Sequence, residues 1–166
     1  MIAREARAYR ALGPTAGVPR FAGRVDALAL AIEHVDAVPL AFAPERTRDG
    51  PGKLAELRAI VERIHRVGMV HCDLRGRDNV LIDRHGRLWI VDFASAIRLR
   101  PGGLAHRVAF RWLRQIDHAA LLKWKRIVEA GPLTDEEQAL FRRFRALRPL
   151  WLHRRQAWRA GNGPPA

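Results

Sequence analysis

Three side chains, Asp73, Asn79 and Asp92, are of the type and spacing that hold a divalent cation. Asn79 precedes the apolar run 80–83 and Asp92 follows the run 88–91, and the two β-rich runs are joined by Arg84-His85-Gly86-Arg87, which reads as a hairpin. With the turn centred on His85 and Gly86, opposed residues sum to 171, so Val80 faces Val91 and Asn79 faces Asp92. Opposed residues of an antiparallel pair lie about 4.5–5.5 Å apart at Cβ. A carboxylate and an amide oxygen then stand side by side at one end of a short ribbon. Hard oxygen ligands placed this way suit Mg²⁺, which takes one or two protein oxygens and completes its octahedron with water and substrate phosphates. Asp73, two residues after His71 on the polar loop 71–78, brings a third oxygen-bearing group.

These residues need a frame. Residues 3–12 read as a helix stopped by Gly13-Pro14, and 25–35 as one or two short strands around a turn at Asp26. A Pro/Gly-rich loop over 39–52 leads into an amphipathic helix over 54–67. In it Leu54, Leu57, Ile60, Val61, Ile64 and Val67 recur at three- and four-residue steps, and Gly68 is the stop. Leu81, Trp89 and Val91 of the hairpin are expected to cover that apolar stripe. Beyond Phe93 the periodicity lapses until a helix over 117–130, ended by Gly131-Pro132. Thr134-x-x-Glu137 then forms a capping box that opens a last helix.

Composition bounds the answer. A chain of 166 residues with 48% hydrophobic and 28% charged residues makes one globular domain, with no internal repeat. Thirty Lys+Arg against 17 Asp+Glu leave +13, a balance that favours phosphates, nucleic acid or an anionic membrane surface as partners. Three of these cations are lysines: Lys53, Lys123 and Lys125. The lone Cys72 excludes an internal disulfide and a cysteine-built zinc site. The charged start MIAREARAYR is no signal peptide, and there is no run of 18 apolar residues, so a cytoplasmic protein is expected.

In register, His71-Cys72-Asp73-Leu74, Asn79-Val80-Leu81-Ile82 and Ile90-Val91-Asp92-Phe93 resemble the catalytic loop and metal-binding segment of protein-kinase-like phosphotransferases. Small bacterial kinase-like proteins related to RIO kinases and to lipopolysaccharide-core sugar kinases are the nearest likeness, with a loop one residue longer between Asp and Asn. The resemblance runs from Glu5 to about Phe144. It implies an α+β fold: a kinase-like C-lobe over 36–140, a remnant N-lobe of helix C and hinge strands over 1–35, and a basic, aromatic tail over 141–166. It implies ATP and Mg²⁺ as cofactors and a hydroxyl acceptor, on a protein Ser/Thr or a lipopolysaccharide sugar. Asp73 then resembles the catalytic base, and Asn79 and Asp92 the metal ligands. His71 resembles the histidine packed under the loop, and Asp117, at the head of its helix, the buried aspartate that braces the loop backbone. Glu5 resembles the helix-C glutamate, and Glu33 and Val35 the hinge residues that meet adenine.

The pattern departs from the family in two places. Ala94 stands where glycine is usual, and neither a G-x-G-x-x-G nor a lysine before Lys53 is present. Either the true start lies upstream of Met1 or the chain is a repurposed kinase, a pseudokinase module that binds an anionic membrane surface or RNA. A metal-dependent hydrolase built on Asp73, Asn79 and Asp92 ranks below both, because no distal histidine cluster completes a two-metal site. His65, His85 and His118 lack ligand spacing and read as surface or structural, and Cys72 as a passive small side chain. The tail carries Arg142, Arg143, Arg145, Arg148, Arg154, Arg155 and Arg159 among Phe141, Phe144, Trp151 and Trp158, with no acidic residue after Glu137. Such a segment suits peripheral attachment at the inner membrane better than RNA, with Pro149 dividing it.

Overall fold

The computed structural model describes residues 2–43, 50–99, 102–129 and 132–146. It is a mixed α+β chain that divides into two compact units, one through Gly131 and one from Pro132. The first unit opens on helix α1 (Ile2–Leu12), which buries Ala6, Ala8, Tyr9 and Leu12 at three- and four-residue steps. Strands β1 (Phe21–Arg24) and β2 (Leu30–Ile32) pair antiparallel. The first therefore lies ahead of Val25, where the sequence reading placed it. Asp26 makes the turn, its carboxylate accepting the Leu28 and Ala29 N–H groups at 2.6 and 2.8 Å.

Strand β3 (Ala37–Pro39) overlaps the loop read over 39–52 only at Pro39, which sits at the strand's end, where a missing N–H is tolerated. Helix α2 (Gly50–Arg66) buries Leu54, Leu57, Ile60, Val61 and Ile64, the stripe expected of it, and starts four residues earlier than read. Then come β4 (Met69–Val70), β5 (Val80–Asp83), β6 (Leu88–Ile90) and β7 (Ile97–Arg98). They form a three-stranded sheet in the order β3-β5-β6 and a two-stranded β4-β7 pair.

The β5–β6 register differs from the count by one. Val80 pairs with Ile90, Leu81 with Trp89 and Ile82 with Leu88, so opposed residues sum to 170. Asn79 accordingly faces Val91, not Asp92, and its carbonyl accepts the Val91 N–H at 3.0 Å. The cause is a three-residue loop: Gly86 adopts φ 77, which lets its N–H reach the Asp83 carbonyl while the Asp83 N–H reaches Arg87. Leu81 therefore shares a face with Trp89 and Val91, and Val80 and Ile82 share the other with Leu88 and Ile90. Val80, Ile82, Leu88 and Ile90 are the buried set, and Leu81, Trp89 and Val91 are only half-buried.

Asp83 locks that loop. Its carboxylate accepts the His85 and Arg87 N–H groups at 2.8 and 2.9 Å, the Arg87 Nε at 2.9 Å and the Trp89 indole N–H at 3.2 Å. Burial works to raise its pKa, but the Arg87 backbone, the Trp89 and Arg87 side chains and the His85 backbone together bring it down to about 2. Asp83→Ala should cost about 1–3 kcal/mol of stability in urea unfolding at neutral pH. A carboxyl held lower in the folded than in the unfolded chain stabilises fully above the ordinary carboxylate range, and that contribution drains away as pH falls toward about 2. The gap between wild type and variant should therefore narrow in acid; a gap that is the same at neutral pH and at about pH 3 would contradict the assignment.

Helix α3 (Leu104–Val128) starts thirteen residues before the predicted 117, so Asp117 sits in its middle rather than at its head. Its first half exposes Val108 and Trp112, which blurs the in–out pattern, yet no Gly or Pro interrupts it. The core gathers Tyr9, Leu57, Ile64, Ile82, Phe93 and Trp124, each at most 2% exposed. In the second unit, α4 (Asp135–Ala146) is capped reciprocally. The Thr134 hydroxyl accepts the Glu137 N–H at 3.2 Å, and the Glu137 carboxylate accepts the Thr134 N–H at 3.0 Å. The tail reading falls largely on residues 147–166, outside the described residues. Among the described residues, no helix is long and apolar enough to cross a membrane.

Candidate functional site

Two short ladders bring distant stretches together. The β4–β7 pair sets Val70 beside Ile97, and the β5–β6 pair sets Val80 beside Ile90. The loop 71–79 and the segment 91–96 are thus each held at both ends and must run side by side.

His71 joins them. It is fully buried, its Nε2–H donates to the Val91 carbonyl at 3.0 Å, and its Nδ1 accepts the Asp73 N–H at 3.2 Å. A carbonyl can only accept and an N–H can only donate, so these two partners define the tautomer. Asn79 closes the loop: its Nδ2 donates to the Asp73 carbonyl at 2.7 Å and to Asp73 Oδ2 at 3.2 Å. With the amide NH₂ turned to two acceptors, Oδ1 is the end left for a ligand.

Gly76 makes this closure possible. A Cβ there would lie 2.6 Å from Asn79 Nδ2 and 2.8 Å from its Cγ. Gly76→Ala should therefore displace the Asn79 side chain and cost about 1–3 kcal/mol by over-packing, read from urea midpoints. An unchanged midpoint would mean that the loop has room to spare.

Asp92 follows in the left-handed region, φ 64 and ψ 74, its Oδ1 accepting the Ala94 N–H at 3.2 Å. Cys72, at φ 68, is the other non-glycine residue in that region among the described residues. Both flank the same loop pair, and such backbone strain is characteristic of sites whose surroundings over-determine them. Burial, reinforced by Asp117, pushes the Cys72 thiol far above its ordinary range, which leaves it an unreactive thiol.

Helix α3 grips the loop from below. Asp117 is fully buried, and its Oδ2 accepts the His71 N–H at 2.8 Å while its Oδ1 accepts the Cys72 N–H at 2.9 Å. Farther along, the Trp124 indole donates to the Leu74 carbonyl at 2.8 Å and Lys123 Nζ to the Arg75 carbonyl at 2.6 Å. Neither Trp124 nor Lys123 is legible as a site residue in the sequence. Their one available signal is the spacing of 117 and 124, seven apart on a single helix face.

Helix α1 grips the other segment. Arg4 donates to the Ala96 carbonyl at 2.8 and 3.1 Å and to Ser95 at 3.2 Å. The Phe93 ring lies 5.0 Å from that of Tyr9 and 4.8 Å from that of His71. Glu5, on the same helix, has its carboxyl pKa raised, by burial first and by the charge of Asp92 next, against a lowering hydrogen bond with the Phe93 backbone. Lys53 is placed elsewhere, at the hairpin turn, where it bonds the Gly86 carbonyl and, at 2.9 Å, Glu56.

Glu33 and Val35 lie between β2 and β3. The Glu33 N–H donates to the Arg20 carbonyl at 2.8 Å and its carboxylate accepts the Arg20 N–H at 3.1 Å; Val35 is half-buried. A cavity of about 670 Å³, lined by Arg4, Arg7, Arg10 and Arg98 among others, includes none of Asp73, Asn79 or Asp92, so it is not the cation site.

The candidate cation donors that the loop 71–79 and the segment 91–96 carry are the Asn79 amide oxygen and the carboxylates of Asp73 and Asp92. All are hard oxygens, with no sulfur or imidazole among them, and they fit Mg²⁺ rather than a softer metal.

No protein-family model matches the chain. Myotonin-protein kinase of Mus musculus is 41% identical over 51 residues, 31% of this chain and 8% of that protein. Serine/threonine-protein kinase mrck-1 of Caenorhabditis elegans is 35% identical over 85 residues, 51% of this chain and 5% of that protein. Citron rho-interacting kinase of Rattus norvegicus is 46% identical over 46 residues, 28% of this chain and 2% of that protein. The chain spans less than a tenth of the length of each of these relatives. Its similarity to serine/threonine kinases is short and local, and it supports a kinase-like relationship.

Proposed function

We propose that the loop 71–79 and Asp92 form the centre of a kinase-like phosphotransferase that moves the γ-phosphate of ATP to a hydroxyl acceptor. The observation that carries this reading is the bonding of the loop pair. His71 ties Asp73 to the residue before Asp92, and Asn79 ties back to Asp73, so three oxygen-bearing groups far apart in sequence share one framework.

In this reading Asp73 is the base. As the acceptor oxygen bonds to the γ-phosphorus and the bond to the β,γ-bridging oxygen breaks, the hydroxyl proton passes to the Asp73 carboxylate and the electron pair leaves with ADP. Asn79 Oδ1 and Asp92 would hold Mg²⁺, which when bound neutralises charge on the phosphate oxygens. Glu5 orients the phosphate side of the site, and the Glu33 carbonyl and Val35 N–H meet adenine. His71 and Asp117 position the loop. The acceptor class is a protein Ser/Thr or a sugar hydroxyl of the lipopolysaccharide type, as in the RIO-like and sugar-kinase-like proteins the motifs resemble, and the basic tail suits an acceptor at an anionic surface.

A second reading, a binding module that holds nucleotide without turning it over, is favoured by the surroundings of Glu5. Its carboxyl faces Asp92 on one side, and the lysine nearest in sequence is committed to the hairpin turn.

Calorimetric titration with ATP, with and without Mg²⁺, tests the site, and ADP release tests turnover. Metal-dependent binding that Asp92→Ala weakens about tenfold or more supports the metal assignment. Equal affinity in wild type and Asp92→Ala rejects it. Binding without ADP release places the module reading first.

A further inference from the structure

Next to Asp117, a second cluster of ligating groups gathers where α2 and α3 pack. Glu62 and His65 stand three residues apart on α2 and so share one face, and His118 stands on α3, which packs against it. One ligand atom from each of the three lies within 4.8 Å of the others.

His65 is the informative member. Its side chain is 2% exposed, and Nε2 lies 2.9 Å from Asp117 Oδ2. That oxygen belongs to a carboxylate already accepting two backbone N–H groups, so the proton of this contact is on His65 Nε2. In the neutral ring Nδ1 is then a bare lone pair. It is buried and has no hydrogen-bond partner, and His118 Nε2 is likewise buried without one. Two buried imidazole nitrogens without hydrogen-bond partners thus stand on rings whose centroids are 5.5 Å apart, with Glu62 Oε1 3.8 Å from His118 Nε2, and enclosed ring nitrogens of this kind call for a partner. A bound cation supplies that partner to both rings at once.

The donors select the cation. Two imidazoles and one carboxylate with an open position are the ligands of Zn²⁺ and its neighbours Co²⁺ and Ni²⁺, whereas Mg²⁺ prefers oxygens alone. Zinc bonds of about 2.0–2.2 Å place ligand atoms about 3.3–3.6 Å apart, so the cluster must close by about 1 Å. His65 is anchored, but the Glu62 and His118 side chains are 50% and 28% exposed and free to move inward. Glu62 and Asp117 together offset a double positive charge, while Arg114, one turn before His118, opposes it.

We propose that Glu62, His65 and His118 form a transition-metal site, with Zn²⁺ as the class of ion, in which Asp117 fixes the His65 ring. A carboxylate that holds the far nitrogen of a ligating histidine sets its tautomer and raises its basicity. Here that same carboxylate also carries the His71 and Cys72 backbone, so occupancy of the site stiffens the loop that positions Asp73. The site is independent of the nucleotide reading and stands or falls on metal binding alone.

The test uses the full chain, stripped of metal with a chelator. Titration with Co²⁺ should produce the visible absorption of a low-coordinate ion bound by nitrogen and oxygen, which Zn²⁺ removes at one equivalent, and Zn²⁺ should raise the melting temperature. Glu62→Gln and His118→Ala should each weaken Zn²⁺ binding about 100-fold or more, beyond the 10- to 100-fold cost of losing an outer partner. His85→Ala, exposed at the hairpin turn, should leave it unchanged. Should His118→Ala fail to fold by circular dichroism, the half-exposed Glu62→Gln carries the comparison. Binding that survives in the folded Glu62→Gln chain, binding lost in His85→Ala, or no binding by wild type at micromolar Zn²⁺ would each overturn the proposal.

Discussion

Asp117→Ala should destabilise the protein by about 3–5 kcal/mol, the cost of removing one partner from a buried, hydrogen-bonded charge. The fully buried carboxylate accepts from the His71 N–H, the Cys72 N–H and His65 Nε2, at 2.8, 2.9 and 2.9 Å. Truncation strands two backbone donors and an imidazole donor. Cys72, held at φ 68, also loses the anchor that keeps it in the left-handed region. Urea unfolding gives the magnitude, and amide exchange locates it: protection at residues 71 and 72 should fall more than protection within α2. Asp117→Asn, which keeps one acceptor oxygen, should recover part of the loss. A cost under about 1 kcal/mol would mean that Trp124 and Lys123 hold the loop without Asp117.

Where the proposed phosphotransfer operates, Asp73→Asn should lower the rate of ADP release about 10²- to 10⁴-fold, the contribution of a positioned general base. The change is nearly isosteric. The Asp73 carbonyl still accepts Asn79 Nδ2, and the new amide oxygen can replace Oδ2 as its second acceptor. The melting temperature and the affinity for Mg²⁺·ATP should therefore stay close to wild type while turnover collapses. That split marks a group acting on the transition state rather than on binding. Turnover within twofold of wild type would remove Asp73 from the base role. Loss of nucleotide affinity in step with turnover would make it a binding group instead.

Much of the frame was legible from the chain. The apolar steps of α2, the stops at Gly13 and Gly68, and the Thr134–Glu137 cap are matters of three- and four-residue spacing and of terminal donors, and such features form locally wherever those residues occur. The existence of the β5–β6 hairpin was equally plain. Its register was not, because a two-residue and a three-residue turn fit the same letters, and the choice rests on Gly86 taking φ 77 and on the four donors gathered by Asp83. Nor was it legible which face of the hairpin turns inward: Val80, Ile82, Leu88 and Ile90 are buried and Leu81, Trp89 and Val91 half-buried, because packing against the rest of the core makes that choice. The start of α3 was hidden for the opposite reason: exposed Val108 and Trp112 broke the polarity pattern of a helix that nothing in its backbone interrupts.

By itself, then, the sequence determined helices α1, α2 and α4, the existence of the hairpin and the order in which His71, Asp73, Asn79 and Asp92 appear, because each depends on neighbours within a few residues. The tertiary structure alone decided that His71 reaches the Val91 carbonyl, that Asp117 holds the loop from 45 and 46 residues away, and that Glu62, His65 and His118 meet. Those contacts exist only after α2 and α3 have packed and the two short ladders have closed. Their partners are chosen by burial and by the need of each enclosed donor and acceptor for a counterpart, and no spacing along the chain encodes that requirement.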